Sequence, residues 1–156
     1  MRTFRVSRRF LVVAGSVLAL AASVLPVTAS AQSGSPDHRA RPFHLTKECS
    51  EHDGGIGAYC TVTSSNVRAI TVGTRIFYAQ AAGPETLDSD VILYAGRRNT
   101  ANGHCTVDNE SGNGRCRLFG GTGTLDGIHA RVDVSYLGGP NFAWDGTYRF
   151  SEDCDD

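Results

Sequence analysis

The residues with chemical reach in this chain are five histidines, five cysteines, 16 acids and a single lysine, Lys47. His38, His44, His52, His104 and His129 show no ligand spacing, so no metal is assigned. No Gly-x-Ser-x-Gly elbow and no His-Glu-x-x-His occurs. Glu51-His52-Asp53 could hold a cation weakly, but it sits in Ser50–Gly57 (SEHDGGIG) and reads as a solvated turn. Gly120-Gly-Thr-Gly123 has the look of a phosphate loop. It lacks the following Lys-Ser/Thr and is flanked by strand rather than helix, so its glycines read as a turn where a strand reverses. No catalytic residue is assigned and no cofactor is expected.

The aromatic residues offer more. Phe142, Trp144, Tyr148 and Phe150 recur at even spacing and share one face of a strand, with Gly146 leaving room between them. Ile76 and Tyr78 share a face of an earlier strand. In a small barrel such residues fill the interior by default. The functional alternative is an aromatic-walled cavity with Asp88, Asp90 or His104 near its mouth. Ile76, Tyr78, Asp90, His104, Trp144, Tyr148 and Phe150 are thus the candidate ligand-binding residues.

The elements that must position them are short and β-type. Cys105–Asp108 and Arg115–Phe119 flank Asn109–Gly114 (NESGNG), whose residues accept tight reversal. Antiparallel pairing about Glu110 and Ser111 sets Cys105 opposite Cys116. From Ile128 to Tyr136 the chain alternates. Ile128, Ala130, Val132, Val134 and Tyr136 face one way; His129, Arg131, Asp133 and Ser135 face the other. Further strands are expected at 43–49, 58–64, 72–79, 87–94 and 142–150, with 97–103 a loop. Eight short strands with turn signals every 8–12 residues predict an all-β barrel or sandwich.

Residues 1–31 read as a signal peptide: Arg2, Arg5, Arg8 and Arg9, an apolar run from Phe10 to Val27, then Ala29-Ser30-Ala31. The alternative is an uncleaved anchor. Ser7-Arg8-Arg9-Phe10-Leu11 is similar to part of a twin-arginine signal without its spacer, which leaves the export route open. Cleavage removes four arginines and no acid, taking the net charge from −1 to −5. Nucleic acid and an anionic membrane are then excluded as natural partners. About 125 residues remain, enough for one core. Residues 32–42 (QSGSPDHRARP) read as a disordered leader, 43–151 as the barrel domain and 152–156 as an acidic tail.

All five cysteines follow the signal, where oxidation is expected. Cys105–Cys116 follows from the hairpin. Cys49 pairs with Cys60 around a glycine-rich turn or, alternatively, with Cys154 at the last strand; the first choice leaves Cys154 free.

Phe119–Ala130 (FGGTGTLDGIHA) resembles the G-G-T-G-x-F-x-G-x-x-A stretch of allene oxide cyclase and dirigent proteins. Exported bacterial proteins of the allene oxide cyclase barrel-like type are more similar still. Cys60–Asn66, Leu87–Val91, Gly103–Cys105 and Trp144–Tyr148 resemble stretches that recur there in this order. The resemblance spans most of Ala58 to Phe150 and implies an eight-stranded antiparallel barrel with an apolar cavity, trimeric in many plant relatives. Leu125 stands where the motif has Phe, and no catalytic residue carries over. Three functions then compete. The leading one is binding of a small apolar or aromatic molecule in the barrel. The second is an isomerase or cyclase that shapes a reactive substrate, and the third a structural barrel filled solid.

Overall fold

Alternation decides which side of each strand faces in. The computed structural model describes residues 39–151. Its strands are β1 (Arg41–Glu48), β2 (Tyr59–Ser65), β3 (Arg75–Tyr78), β4 (Thr86–Tyr94), β5 (Thr100–Asp108), β6 (Gly114–Gly121), β7 (Ile128–Gly138) and β8 (Asn141–Phe150). Each pairs antiparallel with its chain neighbour, and β1 closes on β8 to complete an eight-stranded barrel. Among the described residues the one helical piece is a 3-10 turn, Gly123–Leu125.

Leu87, Ser89, Val91 and Leu93 of β4 are buried, while Asp88, Asp90, Ile92 and Tyr94 are exposed. Ile128, Ala130, Val132 and Val134 of β7 line the inside as their spacing predicts. Tyr136 does not follow them. β7 is 11 residues long and outruns the wall, so Tyr136 sits half-exposed at the rim, its ring 5.4 Å from that of Phe142.

Three expected boundaries move. The ladder of β3 starts only at Arg75, because a turn through Gly73 (φ +88°) precedes it. The stretch expected as loop 97–103 is strand from Thr100. A Cβ at Gly103 would lie 2.7 Å from Leu118 Cδ2 and 2.9 Å from Val91 Cγ2, so this glycine marks tight packing of strands and not a turn. β1 takes in Arg41 and Pro42, which pair with Tyr148 and Thr147, so the last two residues of the expected leader belong to the barrel. The remainder of the leader before Arg39, the signal segment and Cys154 lie outside the described residues.

Cys105 and Cys116 are direct partners in the β5–β6 register and form a disulfide, Cα atoms 4.1 Å apart. Cys49 and Cys60 form the second, at 4.2 Å, across the turn between β1 and β2. Both bridges fit an extracellular or periplasmic protein.

A sequential antiparallel barrel sends alternate loops to opposite ends. At one end the long β2–β3 loop drops Val67 and Ile70 into the interior, and the 3-10 turn adds Leu125, all fully buried. That end is plugged. The other, formed by the β1–β2, β3–β4, β5–β6 and β7–β8 loops, is not.

Candidate functional site

The same period of two that buries Phe43 and Leu45 carries Lys47, two residues on, to the inner wall. The lysine is only 3% exposed. A β-bulge beside it opposes Thr63 and Ser64 of β2 to Thr46, whose hydroxyl bonds both at 2.7 Å. The register then resumes with Lys47 against Val62 on one side and Phe142 on the other.

β3 brings Tyr78 inward by its own alternation, behind Ile76. The Lys47 ammonium group donates a hydrogen bond to the Tyr78 hydroxyl. Its Nζ also lies 4.7 Å from the ring centre of Trp144, 5.1 Å from that of Tyr78 and 5.7 Å from that of Phe142. Among the described residues no carboxylate forms an ion pair with it. Ring faces attract a cation, yet loss of hydration dominates and lowers Lys47 from 10.5 to about 7. Burial also pushes the Tyr78 phenol well above its ordinary range, so it stays protonated at neutral pH.

His52 completes the group. The turn that carries it is pinned by Cys49–Cys60, and its ring stands edge-on to Tyr78 at 4.6 Å. Its Nε2 is buried without a hydrogen-bond partner. Burial lowers its pKa, helped by the charge of Lys47 and opposed by its own backbone and by Asp53. At the rim Asp108 is held by Ser111, whose backbone N–H and hydroxyl both donate to it, and these bonds keep the carboxyl below its usual range.

These groups surround a cavity of about 150 Å³ open at the unplugged end, its apolar wall built by Leu87, Val107, Val134, Phe142 and the Cys49–Cys60 bridge. Comparison with known proteins finds no matching family model, no matching curated protein and no matching solved structure. What the site can do has to be read from its own atoms.

The seven residues expected to bind ligand separate into three places. Tyr78 lies in the cavity wall and Trp144 directly behind Lys47, fully buried. Ile76 lies deeper in the packed core, and Tyr148 and Phe150 fill the plugged half, where Tyr148 meets Phe43 edge-on at 6.1 Å and Phe150 at 5.8 Å. Asp90 and His104 are on the outer surface. There His104 bridges Asp88 (Nε2, 2.7 Å) and Asp90 (Nδ1, 2.9 Å), on the opposite face of β4 and β5 from the cavity. Gly146 leaves no gap either; a Cβ there would collide with the backbone carbonyl of Arg131.

Lys47, His52 and Leu87 are among the cavity residues outside the ligand-binding set expected from sequence, as is Phe142, which the sequence places on the aromatic face. For Lys47 a signal existed: Phe43, Leu45, Lys47 and Cys49 share one face of an alternating run. Among the described residues no group of three His, Cys, Asp or Glu side chains is placed to hold a metal.

Proposed function

We infer that the protein is exported, cleaved after Ala31, and binds one small apolar or aromatic molecule in the open end of its barrel. The observation that carries this is the asymmetry of the interior. One half is packed solid by Trp144, Tyr148 and the loop residues Val67, Ile70 and Leu125, and the other keeps an apolar cavity of about 150 Å³. A cavity of about this size holds a benzene-sized molecule. Larger ligands would have to extend through the mouth. A completely filled structural barrel is disfavoured by the same cavity.

The competing reading is an isomerase or cyclase of allene oxide cyclase type. It is favoured by three polar groups, Lys47, Tyr78 and His52, gathered on one wall with shifted pKa values. Such an enzyme needs a shaped apolar mould and one or two proton donors, which an open barrel end with a protonated phenol supplies. The family resemblance agrees with either reading and suggests a homotrimer.

Mass spectrometry of small molecules that co-purify with the secreted protein tests the binding reading. A stoichiometric apolar or aromatic compound is expected, on a chain that starts at Gln32 or its cyclised form. A chain that starts at Met1 in the membrane fraction would contradict export. An empty protein that also fails to take up toluene would contradict binding.

A further inference from the structure

We propose that Lys47 captures a small aldehyde or ketone as a Schiff base inside the open end of the barrel. This rests on the reading of that end as a ligand site and names the chemical class it takes. A lysine at this position is poorly explained by packing. A leucine or methionine would fill similar volume without the desolvation penalty, and among the described residues no ion pair with a carboxylate offsets that penalty. What the lysine adds is a primary amine on the wall of an apolar cavity.

Its surroundings suit the reaction. The amine must be unprotonated to attack, and burial lowers Lys47 to about 7, so a large share is neutral at neutral pH. The charged and titratable groups that face it are Tyr78 from β3 and His52 from the β1–β2 turn, with Asp108 at the rim. The Nζ lone pair attacks the carbonyl carbon, and the C=O π pair moves to oxygen. That oxygen takes the Tyr78 hydroxyl proton, and the phenolate recovers one from the nitrogen, which is positively charged after the attack, giving a neutral carbinolamine. A proton passed from Tyr78 to the carbinolamine hydroxyl lets it depart as water while the nitrogen lone pair closes the C=N bond, and the resulting iminium gives its N–H proton back to the phenolate. Net, one amine and one carbonyl give one imine and one water, with no oxidant or reductant. The His52 Nε2, buried and unpartnered, is the second group placed to relay a proton. The surrounding apolar wall limits the water that would reverse the last step.

The chain's having one lysine makes the test clean. The secreted protein is incubated at pH 7 with benzaldehyde or butanal and sodium cyanoborohydride, which turns the imine into a stable secondary amine. Peptide mapping then separates Lys47 from the chain's N-terminal amine. Between a lysine at 10.5 and one at about 7 the neutral fraction at pH 7 differs roughly a thousandfold. We expect one adduct, on Lys47, formed at least tenfold faster than on the same protein unfolded and reduced in guanidinium. Tyr78→Phe, which keeps the amine and removes the phenol, should slow it at least fivefold and change its pH profile. Toluene, of similar size and without a carbonyl, is titrated in parallel. Toluene binding without a Lys47 adduct overturns the Schiff base and spares the binding site. Neither binding nor adduct overturns both, and an adduct no faster than in the unfolded chain overturns the Schiff-base site.

Discussion

The Lys47 ammonium group donates to the Tyr78 hydroxyl, tying β1 to β3 across the β2 residue Cys60, whose Sγ lies 3.9 Å from the same hydroxyl. A cation and a phenol thus meet beside a disulfide in a largely apolar interior. The consequences for pH, stability and binding follow from that meeting.

Lys47 is lowered from 10.5 unfolded to about 7 folded, so between these values the unfolded chain binds the extra proton. Stability therefore rises with pH across that window, by roughly 1.4 kcal/mol per unit well above 7, and the full penalty remains below it. Guanidinium midpoints measured from pH 6 to pH 9 should climb. Lys47→Met should stabilise by about 1–3 kcal/mol at pH 6, less at pH 9, because it removes a buried charge and leaves one phenol unpartnered. A flat profile, identical for the variant, would place the ammonium group in water.

Trp144 is fully buried between Lys47 and the packed half, whereas Asp145, Thr147 and Arg149 of the same strand are exposed. Trp144→Ala should destabilise by about 3–5 kcal/mol, and Arg149→Ala by less than about 0.5 kcal/mol. The emission of this sole tryptophan should be blue-shifted and shielded from iodide. Red-shifted, quenchable emission would turn that face of β8 outward.

The Cys105–Cys116 bridge joins direct partners of a hairpin, 11 residues apart in sequence. Cys116→Ser should lower stability by about 2–4 kcal/mol, read from denaturant unfolding. A non-reduced peptide map that links Cys105 to Cys60 would break the β5–β6 register.

These strands were legible because their signals are local. Ile128–Val134 shows its inward side by alternation alone, and a turn of Asn and Gly sets the Cys105–Cys116 register. The site was less so. Lysine is ordinarily a surface residue, and the inner side of β1 becomes evident only when the barrel closes on β8. Asp90 and His104 look like cavity groups beside apolar neighbours, but Leu87, Ser89, Val91 and Leu93 claim the inside of β4 and leave the acids outside. The plug of Val67, Ile70 and Leu125 comes from loops, where no period announces burial.

Outside the barrel, His104 is held between two carboxylates, chiefly by its hydrogen bond to Asp90 and then by Asp88, and its pKa is raised. This pair of contacts stabilises the fold below the unfolded histidine pKa and fades as pH rises through the folded one; being exposed, its effect is small. An NMR titration should find His104 above 6.5 and return it toward that value in Asp90→Asn. A midpoint at or below 6.5 in the native protein would separate the ring from its acids.

The most direct test of the open-ended barrel is the spectrum of the protein carrying 13C-labelled lysine, since one residue gives one Cε signal. Toluene should shift the Lys47 resonance saturably, and the ring signals of Tyr78 and Phe142 with it, while Tyr148 and Phe150 in the plugged half stay in place. An unmoved Lys47 signal at saturating toluene, or shifts centred on Tyr148 and Phe150, would contradict a ligand site at this end of the barrel.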